Sequence, residues 1–223
     1  MSVRVLLADD HGAVRAGLRA LLDRAEGIEV VGEAADGQAA VLNARALRPD
    51  VVLMDVRMPV VDGVDATGQI VAERTAAVLV LTTFDEDEVV LSAIRAGAAG
   101  FLLKTAEAPE LVSAVRRVAA GEGVVAPEVT RRVFRELASA ARPAAPGGPA
   151  AAAESAVVQL ARLTGRELEV LAHLGRGASN GQVAVALAIS EATAKTHVSR
   201  ILGKLGVHSR TQAALVARDA GLT

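Results

Sequence analysis

Val51-Val52-Leu53-Met54-Asp55 decides the fold: four consecutive apolar residues, introduced by Pro49-Asp50 and stopped by a carboxylate. A run so short, apolar on both sides of the pleat, reads as a strand covered on both faces. The same pattern recurs along the first half of the chain. Val3-Arg4-Val5-Leu6-Leu7-Ala8 stops at Asp9-Asp10, residues 28–33 form a second apolar run, residues 77–82 stop at Thr82, and residues 99–103 stop at Lys104. Between these runs lie segments of helical period at 12–25, 37–47, 63–73, 86–96 and 108–120. In the first of them Val14, Leu18, Leu21 and Leu22 mark the apolar face. Strict alternation of strand and helix with short connections predicts an α/β fold, a doubly wound five-stranded parallel sheet ending near residue 122.

The remainder is organised differently. Residues 127–138 predict one more helix, with Pro127 in its first turn and Val129, Val133, Phe134 and Leu137 on one face. Residues 139–153 hold three Pro and two Gly among alanines, a linker composition that cannot build a core. Residues 155–223 contain no strand pattern and predict four helices. Thr164 and Glu167 have capping-box spacing, and Ser179, Ser190 and Ser209 each precede a helical stretch. Helices 180–188 and 191–205, joined by a very short turn, read as helix-turn-helix. The expected organisation is a domain over 1–122, a linker over 123–154 and an all-α domain over 155–223.

Composition narrows the function. Cysteine is absent, which excludes disulfides and thiolate metal sites. Tyr and Trp are absent and only Phe84, Phe101 and Phe134 are aromatic, which argues against a stacking platform for single-stranded nucleic acid. Residues 1–125 carry 12 Lys/Arg against 19 Asp/Glu, a net of −7, whereas residues 155–223 carry 8 against 4, a net of +4. An acidic first half and a basic last third point to different partners. The first residues are too few and too acidic for a signal peptide, and no apolar stretch is long enough to span a bilayer, so a cytoplasmic protein is expected.

The strand ends carry the chemistry. In an open parallel sheet the C-terminal ends of the strands share one edge, which brings Asp9, Asp10, Asp55, Thr82 and Lys104 to one crevice. Taken singly, each has an ordinary reading as a cap, a turn residue or a solvated lysine. Together, three carboxylates suit a hard dication such as Mg²⁺. An aspartate can attack phosphorus, and an ammonium and a hydroxyl can receive phosphoryl oxygens.

The stretches Leu6-Leu7-Ala8-Asp9-Asp10-His11, Val52-Leu53-Met54-Asp55-Val56-Arg57-Met58-Pro59, Leu81-Thr82-Thr83-Phe84-Asp85 and Ala96-Gly97-Ala98-Ala99-Gly100-Phe101-Leu102-Leu103-Lys104 resemble the receiver domain of two-component response regulators. The resemblance covers residues 1–122 and implies a flavodoxin-like fold. It implies that Asp55 accepts phosphate from a histidine kinase, with Thr82 and Lys104 assisting. It implies Mg²⁺ held by Asp9, Asp10, Asp55 and the backbone carbonyl of Arg57, and a switch pair formed by Thr82 and Phe101. Thr105 stands where many receivers have Pro, which argues against a cis peptide there.

Leu163-Thr164-Gly165-Arg166-Glu167-Leu168-Glu169-Val170-Leu171, Ser179-Asn180, and the run from Ile189 to Val207 resemble the LuxR/NarL-type DNA-binding domain, almost without gaps over 160–223. Within helix 191–205, Val198, Ile201, Leu202 and Leu205 form the core side. Thr193, Lys195, Thr196, Ser199 and Arg200 lie on the opposite or flanking surface, placed to meet bases or phosphates in a major groove. His197 reads as a phosphate contact or a packing residue. Gly181 and Ala194 depart from the common pattern, weakening a helix start and thinning the core. The last helix, 210–220, with Ala213, Ala214, Leu215 and Ala217, is implied to be a dimer contact on DNA; plain packing onto the core is its ordinary reading.

The two resemblances imply a bacterial transcriptional regulator that is not an enzyme beyond the receiver's own phosphoryl transfer. Phosphorylation of Asp55 would control its dimerisation and its binding to double-stranded DNA. The sequence admits two other readings. One is a DNA-binding regulator indifferent to phosphorylation. The other is an aspartate-nucleophile phosphatase, disfavoured because Arg57 stands where such enzymes place a second acid.

Overall fold

The computed structural model describes residues 2–82, 87–125, 160 and 162–222. The chain divides into two compact units, Met1–Glu136 and Leu137–Thr223. The expected helix at 127–138, the linker at 139–153 and residues 83–86 lie outside the described residues.

In the first unit, strands β1 (Val3–Ala8), β2 (Ile28–Ala34), β3 (Val51–Asp55), β4 (Ala77–Thr82) and β5 (Gly100–Leu103) alternate with α1 (Gly12–Leu22), α2 (Gly37–Leu47), α3 (Gly63–Ala72), α4 (Asp87–Arg95) and α5 (Ala108–Ala119). All pairs are parallel, in the order β2-β1-β3-β4-β5. A sixth strand, β6 (Val124–Val125), pairs with β5 through Gly100 and Phe101, beyond the edge near residue 122 that the sequence suggested. Two residues are too short a run for periodicity to register.

Pleat alternation explains the continuous apolar runs. Val5, Leu7, Val51, Leu53, Leu79, Leu81 and Leu102 face a cluster that includes Leu22 of α1 and Leu111, Ala114, Val115 and Val118 of α5. Leu6, Val52, Met54, Val80 and Phe101 alternate to the other face, where α2 and α3 lie, and are likewise sealed from solvent. Burying each such side chain contributes about 1.5–3 kcal/mol, so β3 alone is a substantial anchor for Asp55. The helix expected over 12–25 is present as α1, but of its apolar stripe only Leu22 is buried, whereas Val14 and Leu21 are more than a third exposed.

Local chemistry sets the helix starts next to the strand ends. Asp36 caps α2 by accepting from Ala39 N at 2.7 Å, and Asp62 caps α3 by accepting from Asp65 N at 2.8 Å. Gly63, the first residue of α3, packs against the backbone of Asp55, and a Cβ there would lie 1.9 Å from the Asp55 carbonyl oxygen. Only glycine permits that approach. No described peptide bond is cis.

The second unit is all-α: α6 (Gly165–Gly175), α7 (Asn180–Leu187), α8 (Glu191–Leu205) and α9 (Arg210–Asp219). Capping boxes at Thr164/Glu167, Ser179/Gln182 and Ser209/Gln212 open α6, α7 and α9, and Ser190 caps α8 through Thr193 N. The box at Ser179 secures α7 despite Gly181. Ala188, left-handed at φ 53°, makes the tight turn into α8, and Gly206, at φ 67°, ends that helix. Leu171, Leu174, Val183, Ala194, Val198, Ile201, Leu205, Ala213 and Ala217 close the core.

Candidate functional site

At the carboxyl edge of the sheet, Asp9 is 1% exposed and Asp55 4% exposed, so neither carboxylate is solvated in the ordinary way. The Lys104 ammonium lies between them, donating to Asp55 Oδ2 at 2.7 Å and to Asp9 Oδ2 at 2.9 Å. Three strand ends, β1, β3 and β5, thereby converge on one cation. Register places Lys104 next to Thr82, since Leu103 pairs with Thr82 and Lys104 N donates to the Thr82 carbonyl at 2.9 Å. Thr82 and Phe101 are both buried. Arg57 is exposed in the loop after β3.

Burial raises the pKa of Asp55. The hydrogen bond and charge of Lys104 oppose the rise, and the charge of Asp9 adds to it. For Lys104 burial pulls the other way, but its bonds to Asp55 and Asp9 and their charges more than offset it, so the ammonium is held above its usual range. Asp9, Asp10 and Asp55 against Lys104 leave the crevice two negative charges in excess when all are ionised. One ammonium does not compensate two buried carboxylates fully.

The structure brings Asp9, Asp10, Asp55, Thr82 and Lys104 to one edge as the sequence predicted, and adds residues that the sequence did not single out. Asp9 Oδ1 accepts from His11 N at 2.8 Å, which folds the turn after β1 back on itself. Arg15 Nη1 donates to the Asp9 carbonyl at 2.6 Å, and Arg15 Nε is anchored on Glu33 Oε2 at 3.3 Å. Arg19, at 2.8 Å, is the main reason that the Glu33 carboxyl sits below its usual range. Nothing in the spacing of Arg15 distinguishes it from any other surface arginine on a helix. Its role depends on where α1 crosses the end of β2.

In the second unit, α8 presents Thr193, Lys195, Thr196, Ser199 and Arg200 to solvent, opposite the buried Ala194, Val198, Ile201 and Leu205. Two of the hydroxyls already have local partners: Thr193 Oγ1 lies 2.8 Å from Ser190 Oγ, and Thr196 Oγ1 donates to Ala192 O at 2.9 Å. His197 is half-buried, and its Nδ1 is sealed without a hydrogen-bond partner. Lys204 donates to the buried Glu167 at 2.6 Å. That bond, then the Thr164 backbone N–H, holds the Glu167 carboxyl down at about 2. Arg210 donates to Asn180 Oδ1 at 3.0 Å and to Ala178 O at 2.6 Å, tying α9 to the start of α7. Neither partner was visible in the sequence. Ala213 and Ala217 of α9 pack into the core, whereas Ala214 and Leu215 are half-buried.

Comparison with known proteins agrees with both units. Residues 5–116 match the response regulator receiver domain, and residues 161–217 match the luxR family of bacterial regulatory proteins. The chain belongs to the NarL/LuxR-type response regulators. It is 42% identical to the transcriptional regulatory protein LiaR of Bacillus subtilis over 216 residues, covering 96% of each chain. It is 40% identical over 218 residues to the response regulator protein VraR of Staphylococcus aureus, covering 97% of each. Among solved structures, response regulator ChrA of a heme-sensing two-component system matches with 40% identity and a TM-score of 0.55, covering 100% of this chain and 99% of that one. The receiver domain of a NarL regulator from Mycobacterium tuberculosis matches with 40% identity and a TM-score of 0.53, covering 54% of this chain and 98% of that one. This response regulator therefore joins a receiver to a LuxR-type DNA-binding domain, and it is a transcriptional regulator of a two-component system. Among the described residues no helix is long and apolar enough to cross a membrane.

Proposed function

We propose that Asp55 is the phosphoacceptor and that a histidine kinase supplies the phosphoryl group. The observation that carries this reading is the bridge of Lys104 Nζ to Asp55 and Asp9 at 2.7 and 2.9 Å, which places a fixed cation against a buried carboxylate at a strand end. A carboxylate oxygen of Asp55 forms a bond to phosphorus as the bond from phosphorus to the donor's nitrogen breaks, and the electron pair leaves with that nitrogen. Lys104 and the Thr82 hydroxyl then receive phosphoryl oxygens, stabilising charge as it moves.

The donor set fits Mg²⁺. Ligand atoms of Asp9, Asp10 and Asp55 all lie within 4.8 Å of one another, and the excess negative charge of the crevice matches a dication. Asp9, Asp10 and Asp55 would hold it with the Arg57 carbonyl, and the bound ion supplies charge neutralisation for the phosphoryl oxygens. Thr82, drawn toward the new phosphate, and Phe101, moving into the space left, form the switch. This biases a pre-existing equilibrium toward a homodimer.

The output is binding to double-stranded DNA. Helix α8 enters the major groove, with Thr193, Lys195, Thr196, His197, Ser199 and Arg200 as its contacts, and the +4 charge of residues 155–223 supports phosphate binding. The division into a receiver over 1–122, a linker over 123–154 and a DNA-binding domain over 155–223, and a cytoplasmic location, belong to the same reading.

Sedimentation with Mg²⁺, with and without acetyl phosphate, tests it on the wild type and Asp55→Asn. Phosphate incorporation and a shift from monomer to dimer are expected in the wild type alone. Equal labelling of the variant would overturn the assignment.

A further inference from the structure

We propose that His11 is a fourth side-chain ligand of the acidic crevice, giving the site a preference for imidazole-seeking first-row dications, Mn²⁺ to Ni²⁺, over Mg²⁺. This rests on the reading of Asp9, Asp10 and Asp55 as cation ligands.

Placement comes first. His11 is the N-cap residue of α1, yet its side chain makes no capping hydrogen bond, so the helix start does not use the imidazole. The ring turns to the carboxylates instead. Its Nδ1 lies 2.6 Å from Asp10 Oδ1 and 3.6 Å from Asp9 Oδ1. Two adjacent ligand atoms of one octahedral ion, each about 2.1 Å from it, are about 3 Å apart, a spacing that those two distances bracket. The ligand atoms of Asp9, Asp10, His11 and Asp55 all fall within 4.8 Å of one another, and among the described residues theirs is the one such group. The bond from His11 N to Asp9 Oδ1 holds the turn in this form without engaging the ring. At 69% exposure the imidazole gives up little solvation on turning to an ion.

The chemistry follows from ligand hardness. Mg²⁺ keeps water in preference to nitrogen and gains little from an imidazole. First-row dications gain progressively from Mn²⁺ to Ni²⁺ when nitrogen joins a carboxylate set. Three carboxylates alone bind all of these through oxygen; adding His11 tilts the ranking. Were the imidazole only a partner for Asp10 on the surface, it would affect every dication alike.

The test is titration calorimetry of the untagged full-length protein with Mg²⁺, Mn²⁺ and Ni²⁺, for wild type, His11→Ala and Asp55→Asn. It is joined by pulsed electron spin resonance of bound Mn²⁺, which detects a ligating ¹⁴N directly. In His11→Ala, affinity for Ni²⁺ is expected to fall about tenfold or more while that for Mg²⁺ stays within about twofold, and the ¹⁴N signal on Mn²⁺ disappears. Equal change for Mg²⁺ and Ni²⁺, or Mn²⁺ in the wild type without ¹⁴N coupling, would overturn the role of His11. Asp55→Asn separates the two levels. If it leaves Mg²⁺ binding intact, the carboxylate site itself is misassigned; if it abolishes Mg²⁺ binding while His11→Ala keeps the metal ranking, only the histidine is.

Discussion

Asp55→Asn should make strand β3 steadier without metal and deaf to Mg²⁺. In the metal-free protein, burial raises the pKa of Asp55 despite Lys104. A group raised in the folded state contributes stability that is present below its ordinary value, 3.8, and is lost as pH rises through the folded value. At neutral pH the ionised carboxylate is therefore a net cost, which a neutral amide of the same shape removes. With metal the balance reverses. For four atoms that lie within 4.8 Å of one another there is always a position no more than about 2.9 Å from every one of them, and an ion is taken to sit there. At that distance one carboxylate charge contributes about 3 kcal/mol to a dication even at the dielectric constant of water, so its loss weakens binding on the order of a hundredfold. At Mg²⁺ about ten times the wild-type Kd, mass action stabilises the wild type by about 1.4 kcal/mol and the variant by almost nothing. Hydrogen exchange of peptides from β3 and β5, measured in the full-length chain, reads this locally. Exchange should slow about tenfold with Mg²⁺ in the wild type only, and in chelator the variant should exchange more slowly than the wild type. Equal slowing in both proteins, or faster exchange of the variant in chelator, would refute the reasoning.

Three further outcomes are expected. Glu167 is held at about 2, below its ordinary 4.5, so its contribution to stability is present above 4.5 and disappears as pH falls toward 2. Lys204→Met removes the leading cause, and a carboxyl-carbon NMR titration of Glu167 should then show a midpoint closer to 4.5. Arg210→Met strands the buried Asn180 oxygen and the Ala178 carbonyl; each lost partner costs about 1–3 kcal/mol, read as faster exchange in α7 and α9. Gly63→Ala sets a methyl against the Asp55 carbonyl and should cost about 1–3 kcal/mol, seen as a lower Tm, together with slower labelling of Asp55 by acetyl phosphate.

Much of the fold was legible because its signals are local. Short apolar runs, helical periods and cap residues depend on neighbours a few positions away, and β1 to β5, the helix starts at Ser179, Ser190 and Ser209, and the turn before α8 stand where such neighbours put them. The crevice was legible for a related reason: a parallel sheet has one carboxyl edge, so residues that follow strands must meet there.

What depends on distance was not legible. That Lys104 and Asp9 share the crevice followed from the common sheet edge, but their direct bond at 2.9 Å, across 95 positions of chain, is set by the β1-β3-β4-β5 register and by the reach of the lysine. The clamp of Arg15 on the Asp9 carbonyl, the bond of Lys204 to Glu167 and that of Arg210 to Asn180 are side-chain reaches across elements, and a long side chain on a helix surface looks the same whether it ends in water or on a buried acceptor. The stripe on α1 shows the converse, since helical spacing marks which residues share a face but not how far that face is covered. Sequence by itself determined the order of elements, their caps and the chemistry offered at the sheet edge. The tertiary structure alone decided which charges are paired and which carboxylates are buried, because burial and pairing follow from how the elements pack.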